Sequence, residues 1–302
     1  VTGKRNVVNF RPFRCILGLI LCLFLPSLSA GTLTVGEETF YVIQKGDSLL
    51  RISSKLGVSI DSIMKDNGID ETTRLAIGRK LKVNTKKIVP KAMEDGIVIN
   101  IPDRTLYFFR QGRVDETFPV GLGMPAWNGR TEWRTPEGRF KITGKEKDPT
   151  WFVPESIQWK MEQEEKDVLV MVPPGPTNPL GRYAVKTSLP GILIHETIWP
   201  LSISRFRSHG CVRVAPEHME PFYRKVQRNL EGEIIYAPIK AVVTADGRVL
   251  LEVHRDVYKK IRNMEDEARL IIERLKASRK VNWQKVDAVV KEKRGVPQDI
   301  SF

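Results

Sequence analysis

The chain has 302 residues, 49 Lys and Arg against 36 Asp and Glu, and a formal net charge of +13. That length accommodates two domains and a tail with ample core, and the basic residues are scattered instead of forming one run. The charge therefore reads as attraction to anionic envelope polymers and lipid surfaces, with no nucleic-acid partner. The four histidines, His195, His209, His218 and His254, form no H-x-x-x-H pattern, so no metal site is expected on spacing grounds.

Residues 1–30 have the three parts of a secretory leader: Lys4, Arg5, Arg11 and Arg14, the apolar run Ile16 to Leu25, and the small residues Ser27, Ser29 and Ala30. The run is too short to span a membrane. Expected localisation is export to periplasm or cell wall, with membrane association if the leader is retained. Cys22 follows Ile20 and Leu21, not small residues, so acylation is not expected. Loss of the leader removes Cys15 and Cys22 and leaves Cys211 without an intrachain partner. A lone thiol in an oxidising compartment reads as reactive or as an intermolecular bridge.

From 39 to 84 the pattern is strand, helix, helix, strand. Phe40 to Ile43 is β-rich, Asp47 or Ser48 caps a helix carrying Leu49, Ile52 and Leu56, and a second helix carries Ile60, Ile63 and Met64 before Asn67-Gly68. Lys80 to Val83 closes the unit. Tyr41 to Leu49, Asn67 and Ile77 to Leu81 together resemble a LysM module, a resemblance that implies binding to peptidoglycan glycan strands. Residues 85–95, with Lys86, Lys87, Pro90 and Lys91, lack periodicity and read as a linker.

A second domain is placed at 96–238. Ile97 to Ile101 and Thr105 to Phe109 predict a hairpin. Further β-runs follow at Thr117 to Val120, Gly138 to Thr143, Val168 to Val172, Gly191 to Ile194 and Glu233 to Tyr236, with one helix over Glu217 to Val226. In 239–302, Ala241 to Thr244 and Val249 to Val253 flank Asp246-Gly247, a hairpin signal. Val257, Ile261, Met264, Ala268, Ile271 and Leu275 then fall at helical steps, and Trp283 to Val290 predicts a shorter helix. The fold class is mainly β with some α (α+β): a small βααβ module, a mostly-β domain and a C-terminal hairpin with a helical extension.

Cys211 lies in Ser208-His209-Gly210-Cys211-Val212-Arg213, and His195 ends the apolar run Gly191 to Ile194. A thiol beside an imidazole can form the thiolate that attacks carbonyl carbon, and either histidine is a candidate base. His195 with the Ser208 to Arg213 segment resembles the signature of L,D-transpeptidases of the YkuD type. So do Thr135 to Gly138, Pro149 to Trp151, Val172 to Pro176, Asn178 to Gly181 and Tyr183-Ala184. The resemblance implies that Cys211 is the nucleophile, His195 its base, and the Glu196 carbonyl the group orienting the imidazole. It gives His209, Gly210 and the amide of Cys211 an oxyanion role, Ser208 a buttressing one, and Arg213 a substrate carboxylate.

The implied reaction is acyl transfer from a tetrapeptide stem of peptidoglycan, with loss of D-alanine, to an amine of a second stem, giving a 3-3 cross-link and calling for no metal or organic cofactor. Water as acceptor would make the protein an L,D-carboxypeptidase, and an envelope lipoprotein as acceptor would make it a wall-attaching transpeptidase. A non-catalytic wall-binding protein is the reading from another class. Glu196 stands where many relatives have glycine, and is expected either to raise the pKa of His195 or to face solvent. Arg205 and Arg207 read as solvated charges, with an acidic stem as the alternative contact.

Overall fold

A computed structural model describes residues 1–3, 34–129 and 132–302; nearly all of the expected leader, Cys15 and Cys22 included, lies outside them. Among the described residues no helix is long and apolar enough to cross a membrane. The first unit comprises β1 (Thr34–Val35), β2 (Glu38–Val42), α1 (Leu49–Leu56), α2 (Ile60–Asn67) and β3 (Lys80–Asn84). Ser48 is the cap of α1: its Oγ accepts from the Arg51 N–H at 3.2 Å, a contact typically worth ~1 kcal/mol. Asp47 instead accepts from the Tyr41 hydroxyl and the Gln44 N–H, both at 2.8 Å, and so fixes the turn. Ile43, Ile52, Ile63 and Leu81 fill the small core between the helices and the β2–β3 pair.

The expected linker is not free. β4 (Lys87–Ile88) pairs antiparallel with β1, and the Ile88 N–H donates to the Glu252 carboxylate at 2.5 Å. Val35, Val89 and Met93 cover Val98, Tyr107 and Phe109 on the outside of the next hairpin. That outer face is apolar and needs a cover, a demand made by another part of the chain and absent from the segment's own pattern.

The central domain runs through β5 (Gly96–Asn100), β6 (Thr105–Arg110), β7 (Arg113–Gly123), β8 (Gly138–Lys147), β9 (Trp151–Phe152), α3 (Glu155–Gln163) and β10 (Met171–Val172). It continues through β11 (Tyr183–Thr187), β12 (Leu193–Glu196), a 3-10 turn at Pro200–Ser202, β13 (Phe206–Ser208), β14 (Val212–Val214), α4 (Pro216–Lys225) and β15 (Glu231–Ile235). Nine strands form one sheet in the order β13-β7-β14-β12-β11-β8-β15-β5-β6, and a further β6–β7 pairing closes it into a barrel-like ring. Closure depends on β7, which is 11 residues long. It pairs with β6 through Pro119 and with β14 at Val120 and Gly121. Ile97, Ile99, Leu106, Val120, Val185, Ile194, Val212 and Phe222 pack the interior. The expected strand over Val168 to Val172 shortens to β10, because it has only the two-residue β9 to pair with; Val168, Leu169 and Val170 remain exposed.

The C-terminal region is β16 (Ile239–Val243), β17 (Val249–Val253), α5 (Met264–Arg274), α6 (Trp283–Glu292) and β18 (Gln298–Asp299). The predicted helix from Val257 begins only at Met264, since Asn263 caps it by accepting from the Glu265 and Asp266 N–H groups. Tyr258 packs into the barrel core instead. The region has a core of its own, with Ile239, Leu251, Ala268, Ile272 and Val289 between a three-stranded sheet and two helices. It also holds the first unit: Arg255 pairs with Asp61 at 2.8 Å, Arg294 pairs with Asp66, and the Ser62 hydroxyl donates to the Arg294 carbonyl at 3.0 Å. At the junction, the buried Lys240 ammonium lies 2.7 Å from Asp103 and 2.8 Å from Glu252.

Candidate active site

β12 lies between β11 and β14, and the registers place His195 beside Ala184 on one side and Arg213 on the other. Neighbours in register point to the same face, and Cys211 is two residues from Arg213, so the strand period brings all three side chains to one surface. That surface is the floor of a cavity of about 500 Å³ lined by His195, Ser208, His209, Cys211 and Arg213. Strand pairing thus assembles residues that are up to 18 positions apart in the chain.

His195 is 4% exposed, and its Nδ1 lies 2.6 Å from the Glu196 carbonyl. A carbonyl only accepts, so Nδ1 carries the proton and Nε2 keeps its lone pair. Burial foremost, then the Arg213 charge, lowers the pKa of this imidazole to about 4, while its backbone contacts with Glu196 and Leu180 act the other way. His195 is therefore neutral at pH 7, the form a base requires. Burial also pushes the partly exposed Cys211 thiol up, against the opposing pull of the Leu193 amide and Arg213. The thiol donates to the Gly191 carbonyl and accepts from the Leu193 N–H, both at 3.4 Å. At rest the thiol and the imidazole are thus both uncharged.

The loop around the thiol is braced on three sides. The Ser208 hydroxyl donates to the Cys211 carbonyl at 2.6 Å, and the Thr135 hydroxyl donates to the Gly210 carbonyl at 2.9 Å. Thr135 Oγ1 in turn accepts from the Gly123 N–H at 2.8 Å, and the Tyr258 hydroxyl donates to the Gly123 carbonyl at 2.7 Å. Gly210 has φ +110°, a conformation that side chains rarely adopt, which leaves little choice of residue there. The bracing comes from β7, the segment after it and the C-terminal region, so one loop depends on three parts of the chain.

His209 sits edge-on to Trp133 with ring centroids 4.6 Å apart, and burial, then Lys160 and Arg213, lower its pKa to about 4. Its Nε2 is 3.4 Å from the Lys160 ammonium. Arg213 lies over Trp199 at 5.2 Å. The Glu196 side chain does not face solvent, and it is the residue's backbone carbonyl, not its carboxylate, that acts on the His195 pKa. Glu196 is 5% exposed, packs against Gly181, and its Oε1 is 3.5 Å from Arg182 Nε. Arg205 borders a different cleft with Lys87 and His254, and neither it nor the exposed Arg207 lines the Cys211 cavity.

Sequence reasoning missed α3, whose Ile157, Lys160 and Met161 line the cavity, and also Trp199. The available signal was Pro154 ahead of Ile157 and Met161, a helix start followed by apolar residues four apart. Asn178, noted as part of a motif, shapes the loop opposite: its side-chain amide donates to the carbonyls of Pro149, Val172 and Pro173 at 2.8, 3.2 and 3.1 Å.

Residues 94–245, half of the chain, match the family of the L,D-transpeptidase catalytic domain (YkuD), and residues 41–84 match the LysM domain. The chain belongs to the L,D-transpeptidase family. It is 28% identical to the probable L,D-transpeptidase YcfS of Escherichia coli (strain K12) over 91% of this chain and 87% of that one. Identity to the probable L,D-transpeptidase ErfK/SrfK of Salmonella typhimurium (strain LT2) is 25% over 98% of each. A solved L,D-transpeptidase from Mycobacterium smegmatis aligns over 70% of this chain and 96% of its own at 17% identity and a TM-score of 0.37. As an L,D-transpeptidase with a LysM domain, the chain is a peptidoglycan transferase.

Proposed function

We propose that this transferase works through an acyl-enzyme on Cys211. The observation that carries the reading is the placement of Cys211 and a neutral His195 in one cavity, with His195 Nδ1 committed to the Glu196 carbonyl. His195 Nε2 takes the thiol proton as Sγ bonds to the carbonyl carbon between the third and fourth residues of a tetrapeptide stem. The C–N bond breaks, the proton passes to the leaving amine, and D-alanine departs. An amine of a second stem then attacks the thioester, loses a proton to His195 and frees the thiol, which leaves a 3-3 cross-link.

His209 and the amides of Gly210 and Cys211 receive the developing oxyanion, which earns its stabilisation from donors already oriented before the reaction begins. Ser208 holds the loop, and Arg213 pairs with a stem carboxylate. The LysM domain tethers the enzyme to glycan strands. Residues 1–30 direct export to the periplasm or wall, where water or an envelope lipoprotein would be the competing acceptors.

The test is to incubate the purified protein with disaccharide-tetrapeptide and follow D-alanine and the mass of dimer, beside Cys211→Ala. Release by the parent protein and none by the variant is expected. Equal product from both would refute the nucleophile, and no product from either would favour a purely wall-binding protein. Adding and omitting an amine acceptor separates transfer from hydrolysis.

A further inference from the structure

Lys160 is a charged cavity residue that the family reading leaves without a task. None of the residues of α3 is buried, yet the Lys160 side chain is only 18% exposed. Its ammonium lies over the rings of Trp127 and Trp133 at 5.5 and 5.4 Å, which holds the long side chain in place. Its polar contacts are long: 3.4 Å to His209 Nε2 and 3.8 Å to Glu164. Glu164 is engaged more closely by Lys166, at 2.8 Å. An ammonium has three donors, and these contacts leave it able to accept a stronger partner.

The charge of the cavity favours an anion. Among the described residues, Lys160, Lys166 and Arg213 line it against the single carboxylate of Glu164. Burial, with the nearby cations, keeps both lining imidazoles neutral at pH 7, so they add no charge of their own. Lys160 and Arg213 enter from separate elements, α3 and β14, so one carboxylate does not have to serve both.

We propose that Lys160 binds a free carboxylate of the stem peptide, a different one from the carboxylate paired with Arg213. The inference rests on the cavity being the stem-peptide site. A carboxylate brought to the ammonium would replace its long contacts with a charge-assisted bond, held inside a wall of indole rings where water screens it poorly.

Binding to the Cys211→Ala protein tests this without requiring turnover. Calorimetry would compare the tetrapeptide stem with analogues in which one carboxylate at a time is amidated. Lys160→Gln should weaken binding of the free stem about 10- to 100-fold, and Lys160→Arg should retain most of the affinity. Amidating the partnered carboxylate should cost as much in the Lys160 protein and nothing further in Lys160→Gln. Additive losses, or an equal loss on every analogue, would overturn the assignment. D-alanine release by the unmodified enzyme reports separately on the acyl-transfer reading.

Discussion

Acid should destabilise this protein through its buried histidines, and His195 offers a direct measure. In the folded chain burial, with Arg213, brings its pKa from 6.5 to about 4. In the unfolded chain the ring titrates near its ordinary value. Between about pH 6.5 and 4 the unfolded state therefore binds more protons, so stability rises with pH in that window. The contribution is fully present above about 6.5, declines as pH falls, and is lost near 4. Its size is ~3 kcal/mol, because each pH unit of displacement corresponds to ~1.4 kcal/mol.

Urea unfolding from pH 8 to pH 4, on the parent protein and on His195→Gln, isolates this share. Glutamine stays neutral throughout, whereas His209, His218 and His254, whose pKa values are lowered chiefly by burial, remain in both proteins. The parent should lose about 3 kcal/mol more than the variant between pH 7 and pH 4. Parallel profiles would show that the ring is solvated in the folded state and would refute the account. With His195 as the proposed base, the same titration should set the acid limb of kcat/KM near pH 4.

Alkylation of Cys211 by iodoacetamide should be slow near neutrality and accelerate above the ordinary thiol range, since burial disfavours the thiolate; a midpoint below that range would mean a resting ion pair. Lys240→Ala removes the cation in direct contact with the fully buried Asp103 and Glu252 carboxylates, leaving them the more distant Lys87, and should cost about 3–5 kcal/mol in chemical denaturation. A loss below about 1 kcal/mol would mean that water reaches the cluster. At Gly123 a Cβ would lie 2.1 Å from the Trp133 carbonyl oxygen and 2.5 Å from the Thr135 nitrogen. Gly123→Ala should therefore cost about 1–3 kcal/mol and slow D-alanine release by displacing Thr135 from the Gly210 carbonyl; unchanged turnover would remove Thr135 from the support of the loop.

What could be read from the sequence was whatever depends on neighbours in the chain. The βααβ unit follows from a cap at Asp47 or Ser48, the spacing of Leu49, Ile52 and Leu56, and Asn67-Gly68 at the end of its second helix. The hairpins follow from Pro102-Asp103-Arg104 and Asp246-Gly247, and the candidate site from a lone thiol, a strand-end histidine and a motif. α5 starts later than its pattern implies because Val257 keeps the helical spacing while packing, beside Tyr258, on the barrel. The order of residues 85–95 was missed because its cause is the apolar outer face of β5 and β6.

The sequence by itself determined the fold class, most of the elements and the candidacy of Cys211, His195 and Arg213, since local propensity and residue chemistry act at short range. Only the tertiary structure decided that Glu196 turns to Arg182, that α3 brings Lys160 to the cavity, and that thiol and imidazole rest uncharged. Those outcomes depend on burial and on charges contributed by distant segments, and both arise only when the strands close and pack.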